Sequence, residues 1–481
     1  MIILAVAALL RFASANHSLQ FDEHASVYFS DQSYARLWSD WMLRETNPPL
    51  YYSVLRAWRA VAGSSDWAIR VPTIVASLFA IVLLFTLTRR VYGTTAAIIA
   101  AGLAGISGLH LYFAEIARGY IFVLCAVLVA VGALLKISSP ESDPSSRRRA
   151  LLLYTIAATA AIYLHTTMIL FPIFAFIALI AADPARYRSH PRQLLPFIIA
   201  NIAVYVLSAW AIRIAALQLI YGRDNISAIG LVGPVGIAGY SFKTLFLSIG
   251  TEWLPSILAP LLAFMVIRFA MTDRHRVETR LLAGMAGISL LALAFIGMVV
   301  PIFVPRTIFW ISGIISILLA GALAAIPSVR LRWTVLAIVV VALAIDMVRL
   351  RQTIEDEDWN TPVQIMSHHP GALLLVQGEA MALLADQTCR RKLSTPCPYI
   401  VVAATVERDP YDSWALGLYD GPKVPVQDLP RYAAGRTVFL FRKQAFHNLP
   451  IMLHERGLGG GVPDNGPLLI GPLPASALGP R

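Results

Sequence analysis

The sequence predicts a mostly α-helical, polytopic membrane protein with amphipathic surface helices in its first outer loop and a small C-terminal α/β domain. Of its 481 residues, 57% are hydrophobic and only 14% are charged, against about 25% charged in soluble proteins. Apolar runs long enough to cross a hydrocarbon core of about 30 Å recur up to residue 349. We expect about eleven transmembrane helices, over residues 1–13, 67–88, 95–113, 119–137, 150–168, 169–182, 195–217, 256–271, 281–300, 307–326 and 333–349.

The distribution of charge predicts how these helices are oriented. The net charge is +11, and nearly all of the excess lies in every second loop, as expected of a cytoplasmic face. We therefore expect a multi-pass protein of the cytoplasmic (inner) membrane with a cytoplasmic N-terminus, surrounded by membrane lipids, and no nucleic-acid partner. The cations that set this orientation are Arg89, Arg90, Lys136, Arg147, Arg148, Arg149, Arg186, Arg188, Arg192, Arg268, Arg274, Arg276, Arg280, Arg330 and Arg332.

The first helix has two possible fates. It ends in Ala13-Ser14-Ala15, which is typical of a signal-peptidase site. Because Arg11 interrupts the apolar run near its end, we expect an uncleaved helix. Either outcome leaves the following loop on the outer side.

That loop, residues 14–66, carries the acidic pair Asp22-Glu23 and the turn Asn47-Pro48-Pro49-Leu50-Tyr51-Tyr52. Ionisable residues held beside a bilayer usually serve a function. The stretches Ala25–Leu43 and Leu50–Val61 have the pattern of helices that lie along a membrane surface. The sequence therefore predicts a functional site in this loop.

The second predicted domain, residues 350–481, has balanced charge and frequent prolines and glycines. Short apolar runs over 373–376, 399–403, 437–441 and 468–470 predict buried strands, and residues 379–387 predict a helix. Cys389 and Cys397 lie on the outer side, where a disulfide is permitted, and the sequence leaves pairing and free thiols equally open. We expect this domain to contact an acceptor or stabilise the fold.

Arg118 and Arg306 are basic residues in short loops predicted to face outward, where few are expected. An arginine fork binds phosphate oxygens in a bidentate manner, so both are candidate ligands of a lipid-linked phosphate. The alternative is snorkelling or interhelical pairing. Arg70 is a weaker third candidate. His165 also lies at an outer helix end, where a lone histidine is more often a structural hydrogen-bond partner.

In their order along the chain these motifs resemble the GT-C superfamily of membrane glycosyltransferases, in the bacterial branch of protein O-mannosyltransferases and lipid A aminoarabinose transferases. The resemblance covers residues 1 to 330, and Glu357-Asp358-Trp359-Asn360 echoes a motif that opens the outer domain of bacterial members. The motifs that carry it are Asp22-Glu23, Pro48-Pro49-Leu50-Tyr51-Tyr52, Arg70-Val71-Pro72, Ala117-Arg118-Gly119-Tyr120, His165-Thr166 and Pro305-Arg306.

The resemblance implies an inverting enzyme that moves a sugar from a polyprenyl-phosphate donor to a lipid, glycan or protein hydroxyl on the outer face. It assigns Asp22 as general base and Glu23 as the neighbour that tunes it. Arg118 and Arg306 would bind the donor phosphate, with Tyr120 and Arg70 beside them. The remaining residues expected to line the substrate are Asn47, Pro48, Tyr51, Tyr52, Glu115 and His165.

Two departures from the family pattern limit this assignment. Asn47 stands where many relatives have histidine, and an amide cannot act as a general base. Ile116 stands where relatives often have glutamate, with Glu115 one step further from the arginine. No cofactor is predicted with certainty, and a divalent cation is an open alternative.

Two other functions are weighed against glycosyl transfer. A transporter or flippase of a lipid-linked saccharide would hold its ionisable residues near the middle of the bilayer, whereas the candidates here cluster at one face. An O-antigen-type polymerase or ligase would carry its long outer loop late in the membrane domain, whereas the acidic loop here is the first.

Overall fold

The computed structural model describes residues 1–480 except 222–230, 232, 246–252, 356–357, 394–395, 407–413, 443–447 and 464–467, and side chains are also left undescribed at 221, 242–245, 253–256 and 350–355. Glu357 of the motif noted above lies outside the described residues. The chain is mostly helical, with a small sheet near its C-terminus.

The helices of the N-terminal part form one large apolar core. In the described residues, five helices are long and apolar enough to cross a membrane, or six if one bent pair counts as a span, so the number of eleven stays a prediction. The helices are α1 (Ile2–Ser14), α2 (Phe21–Asp31), α3 (Tyr34–Leu37), α4 (Leu50–Ala62), α5 (Asp66–Ile106), α6 (Gly108–Glu115), α7 (Tyr120–Ser138), α8 (Pro144–Leu164), α9 (Phe171–Ala182), α10 (Pro184–Ser189), α11 (Leu195–Leu207), α12 (Ala209–Tyr221), α13 (Pro234–Leu245), α14 (Trp253–Thr272), α15 (Val277–Gly297), α16 (Pro305–Ala324) and α17 (Val329–Glu355).

Short breaks interrupt several helices. Gly93 interrupts α5 with a φ of 84°, between the predicted spans 67–88 and 95–113, in a backbone conformation that glycine adopts without a steric penalty. Ser107 separates α5 from α6, and its side chain accepts a hydrogen bond from the His110 amide, as N-cap residues do. The predicted span 195–217 is two helices, α11 and α12, bent by 63°.

Of the two surface helices predicted in the first loop, the first is replaced by shorter elements. In place of Ala25–Leu43 the chain forms α2, α3 and the 3-10 helix Asp40–Arg44, while α4 matches the second predicted helix closely. Ser33 and Ser39 each accept a hydrogen bond from a backbone amide at the start of the next element, and these caps explain the breaks.

The C-terminal sheet has five strands in the order β3-β2-β1-β4-β5. Parallel pairing joins β1 to β2, β1 to β4 and β2 to β3, and β5 runs antiparallel to β4. Cys389 and Cys397 are paired in a disulfide with their Cα atoms 5.9 Å apart. The elements are α18 (Asn360–Ser367), β1 (Leu373–Gln377), α19 (Gly378–Leu393), β2 (Ile400–Thr405), β3 (Lys423–Pro425), α20 (Leu429–Tyr432), β4 (Thr437–Phe441), α21 (Leu449–Glu455) and β5 (Leu469–Pro474).

Helix α2 is held between the membrane helices and the C-terminal region. On one side a hydrogen bond of 2.9 Å joins His24 Nδ1 to Thr388 Oγ1 of α19, and Ala25 is part of the apolar core that α19 and the sheet form. Nearby, the Asp66 carboxylate at the start of α5 accepts from Arg391 and Lys392 at 2.5 and 2.6 Å. On its other side, Glu23 of α2 accepts from Arg70 of α5, so the position of α2 is fixed from two directions.

Candidate active site

Asp22 lies in the first turn of α2, the short helix that follows α1. Its side chain is 40% exposed, and its two oxygens face two different arginines. Arg118 Nη2 is 3.2 Å from Oδ1, and Arg306 Nη1, from the first turn of α16, is 3.8 Å from Oδ2. The fold thus gathers three predicted candidates that are far apart in sequence.

Arg118 lies in the break between α6 and α7 and is almost fully buried. Its Nη1 donates to the Tyr52 hydroxyl at 2.7 Å and lies 3.6 Å from Glu45 Oε1. On the opposite edge Nη2 meets Asp22, and the buried Nε has no hydrogen-bond partner among the described residues. An arginine fork can donate two parallel hydrogen bonds to one anion, so the Nε–Nη2 edge has capacity for a further acceptor.

Glu45 is a residue of this cluster that the sequence did not single out. Its side chain is buried, and Oε1 accepts hydrogen bonds from the backbone amide and the side-chain amide of Asn47, at 3.0 and 2.8 Å. Its charge also acts on the nearby Tyr52 hydroxyl and raises the pKa of that group. Its position two residues before the Asn-Pro-Pro turn was the available signal, but spacing alone does not show which way the carboxylate points.

Tyr52 and Arg118 keep their ordinary protonation states in this cluster. Burial raises the pKa of the Tyr52 hydroxyl well above 10, with a smaller lowering effect from Arg118 and a raising effect from Glu45. Burial acts to lower the pKa of Arg118, but Tyr52, Asp22 and Glu45 together raise it above its usual value. The site therefore presents a neutral phenol and a charged guanidinium.

Glu23 and Arg70 pair with each other, a contact that the sequence did not predict. Glu23 is fully buried, and its carboxylate accepts from Arg70, from the Gln20 amide and from the Ala117 amide. Arg70 uses its remaining N–H groups on backbone carbonyls at 2.7 to 2.9 Å. All five N–H groups of Arg70 are thus occupied by protein acceptors, which leaves none for a phosphate. The Glu23 carboxylate is buried.

Glu115 also faces away from the cluster. It accepts a hydrogen bond from Ser14 at the end of α1, and His17 Nε2 lies 3.9 Å from its carboxylate. The candidate that was expected to line the substrate is therefore directed toward α1.

Among the aromatic candidates, Tyr52 contacts Arg118 directly, and the others pack against their aromatic neighbours. The rings of Tyr120 and His165 lie 5.7 Å apart, and His165 Nδ1 is 2.9 Å from the Thr167 hydroxyl. Tyr51 is buried against Tyr52, and its hydroxyl has no hydrogen-bond partner in the part of the chain that the structure describes. His165 is thus anchored structurally while it borders the site.

Glu45 also lines a small, shallow pocket. Its walls include Asn47 and Pro48, which the sequence predicted to line a substrate site, together with Trp210 and Gln218 of α12. No group of three or more His, Cys, Asp or Glu residues suited to a metal ion occurs among the described residues. A cation held by fewer protein ligands and a substrate phosphate is compatible with this arrangement.

The sequence and the fold are both similar to those of known proteins. Residues 46–212 match the family described as dolichyl-phosphate-mannose-protein mannosyltransferase. The structure resembles that of ArnT from Cupriavidus metallidurans in the apo state, with a TM-score of 0.61, 14% identity and coverage of 100% of this chain and 98% of that one. This is the GT-C fold.

Two further structures share the GT-C fold. ArnT bound to undecaprenyl phosphate gives a TM-score of 0.60 at 13% identity and covers 92% of both chains. The oligosaccharyltransferase of Archaeoglobus fulgidus, in complex with Zn and sulfate, gives 0.55 at 12% identity, covering 91% of this chain and 68% of that one. Among curated proteins none matches the sequence at a significant level.

Proposed function

We propose that this protein is an inverting glycosyltransferase that moves a sugar from a polyprenyl-phosphate donor to a hydroxyl acceptor at the outer face of the cytoplasmic membrane. The observation that carries the proposal is the Nε–Nη2 edge of Arg118, which is buried, faces Asp22 and has an unpaired Nε within the described residues. Two oxygens of a phosphate suit such an edge. The GT-C fold, and the undecaprenyl phosphate bound to ArnT, favour a lipid phosphate as that ligand.

The proposed reaction begins at Asp22. Its carboxylate takes the proton of the acceptor hydroxyl, whose oxygen attacks the anomeric carbon of the donor sugar. The bond from that carbon to the phosphate oxygen breaks, and its electron pair stays with the phosphate. A positioned general base contributes about 10² to 10⁴ in rate. Attack on the side opposite the leaving phosphate inverts the configuration of the sugar.

The two arginines act on the leaving group. As the glycosidic bond breaks, the sugar gains oxocarbenium character and negative charge grows on the phosphate. Arg118 and Arg306 are aimed at the same small volume beside Asp22, so they stabilise that charge where it develops. A phosphate that takes over these guanidinium groups also leaves Asp22 with fewer N–H donors, which makes the carboxylate a stronger proton acceptor.

The remaining candidates take supporting roles in this proposal. Tyr120 and His165 lie close enough to Arg118 and Arg306 for both arginines to act on them electrostatically, while Asn47 and Pro48 line a pocket together with Glu45. Residues 1–349 would form the catalytic membrane domain, and residues 350–481 an outer domain whose contacts hold α2 in place. The acceptor is a lipid, glycan or protein hydroxyl.

The location of the cluster favours transfer over transport. Asp22, Arg118 and Arg306 lie at helix ends or in breaks between helices. A pathway across the bilayer would need ionisable groups near the middle of spans. Arg11 is an ionisable residue buried within the apolar helix α1, but its N–H groups donate to Ser77 and to backbone carbonyls. These are structural contacts.

The test is to incubate the purified protein in detergent with radiolabelled polyprenyl-phosphate sugars and with lipid, glycan or protein acceptors. Label in the acceptor, with the anomeric configuration opposite to that of the donor, is the expected result. Retained configuration contradicts the inverting mechanism. Absence of transfer with every donor and acceptor contradicts the proposed function.

A further inference from the structure

Glu45 joins three separate parts of the candidate site through one buried carboxylate. Its Oε1 accepts both N–H groups of Asn47 in the Asn-Pro-Pro turn. The same oxygen lies 3.6 Å from Arg118 Nη1, which also donates to the hydroxyl of Tyr52 in α4 at 2.7 Å. Neither the sequence pattern nor the proposed reaction assigns this residue a role.

The contacts of Glu45 determine which edge of Arg118 is available. Glu45 and Tyr52 lie on the Nη1 side of the guanidinium. Since the group is planar and rigid, holding one side fixes the direction of the other. The Nε–Nη2 edge is thereby turned toward Asp22.

Glu45 also sets the charge of the cluster. Two acids, Asp22 and Glu45, face two arginines, Arg118 and Arg306. In the proposed reaction the donor is a phosphodiester with one negative charge, whereas the product is a phosphate monoester with a charge near −2 at neutral pH. Without Glu45 the site would carry an excess positive charge and would hold that product more tightly.

We propose, on the basis of the proposed function, that Glu45 is a positioning residue that aims Arg118 at the donor phosphate and balances its charge, so that the polyprenyl phosphate product can leave. Its effect on turnover passes through Arg118 and needs no contact with the substrate. Loss of the carboxylate should therefore affect kcat and product affinity in opposite directions.

The test uses Glu45→Gln in the full chain, with kcat and donor KM from sugar transfer and the Kd of undecaprenyl phosphate from calorimetry. We expect kcat to fall by up to about 10²-fold, as misplaced catalytic groups cause. The Kd should become lower, by roughly tenfold for one added net charge nearby. A kcat within twofold of wild type, or a Kd that rises as kcat falls, would overturn the proposal.

Two further variants separate this role from a loss of folding. Glu45→Asp keeps the charge, so it should return the Kd to the wild-type value and recover part of kcat. Asp40→Asn removes an acid from the same segment, but that acid is exposed and pairs with Arg213, so it should match wild type in both values. An Asp40→Asn effect equal to that of Glu45→Gln contradicts a specific role for Glu45.

The outcomes also distinguish this proposal from the proposed function. Wild-type protein that binds undecaprenyl phosphate but transfers no sugar contradicts the function, and the Kd comparison still tests Glu45. Wild-type protein that transfers sugar, with Glu45→Gln equal to it in kcat and Kd, overturns the Glu45 proposal alone.

Discussion

Glu23 and Arg70 form a fully buried bidentate ion pair, with Arg70 Nε 2.8 Å from Oε1 and Nη2 2.5 Å from Oε2 of Glu23. The same carboxylate accepts the Gln20 amide that caps α2. The pair thus connects α5 to the helix turn on which Asp22 lies. Adjacent residues of one acidic motif therefore have different tasks, because Glu23 fixes the turn and Asp22 faces the arginines.

Breaking this pair should destabilise the fold. Removing one partner of a buried ion pair leaves an uncompensated charge and costs about 3 to 5 kcal/mol, so Arg70→Leu should lower the melting temperature in detergent substantially. The matched control is Arg213→Leu, whose ion pair with Asp40 is also bidentate but exposed and worth about 0 to 1 kcal/mol. Equal effects of the two variants would contradict the assignment of Arg70.

Arg118→Lys should impair the reaction more than Arg306→Lys does. Lysine keeps the charge but lacks the fork, and loss of one preorganised donor costs about 10² to 10³ in kcat. Arg306 is partly exposed and lies further from Asp22, so its replacement should cost less. Steady-state kinetics with a polyprenyl-phosphate sugar tests the order of the two effects, and the reverse order would contradict the proposed role of the Nε–Nη2 edge.

Acid should loosen the contact between α2 and α19. Burial is the main cause that lowers the pKa of His24 well below 6.5, and Arg391 adds to it. The unfolded chain binds a proton near pH 6.5 and the folded chain does not. Burial of neutral His24 therefore costs no stability above pH 6.5. Below that pH the free energy of unfolding falls by up to about 1.4 kcal/mol per pH unit.

The measurement is the melting temperature of wild type and His24→Asn between pH 5 and 7.5. As the pH falls, the melting temperature of wild type should decrease more than that of His24→Asn. The other titratable groups near His24 are Asp66, Arg70, Arg391 and Lys392, and they are present in both proteins. A difference that does not change with pH would show that His24 is not buried in its neutral form.

The sequence identified the residues that meet at the site better than it identified their contacts. Asp22, Arg118 and Arg306 stood out because charge is rare beside apolar helices, and the structure brings them within 3.8 Å. Their catalytic roles stay predictions. The pairing of Arg70 with Glu23 could not be read from the sequence, because a motif does not show which of several nearby carboxylates an arginine will meet.

In the fold, too, local apolar elements could be predicted from the sequence, whereas contacts between distant segments could not. Strands β1 and β4 begin where their apolar runs begin, since burial and strand length go together. Strand β3 has only three residues, Lys423–Pro425, and its pairing with β2 depends on a distant partner. The breaks at Ser107 and Ser208 depend on local capping and packing, which hydrophobic periodicity does not report.

The central claim is that Asp22 takes the proton of the acceptor. The most direct measurement compares wild type and Asp22→Asn for transfer of a radiolabelled sugar in one turnover, with the Kd of undecaprenyl phosphate measured alongside. We expect transfer by Asp22→Asn to fall by about 10² to 10⁴, while the Kd is equal or lower because a competing carboxylate is removed from Arg118 and Arg306. Transfer by Asp22→Asn at the wild-type rate would contradict the account.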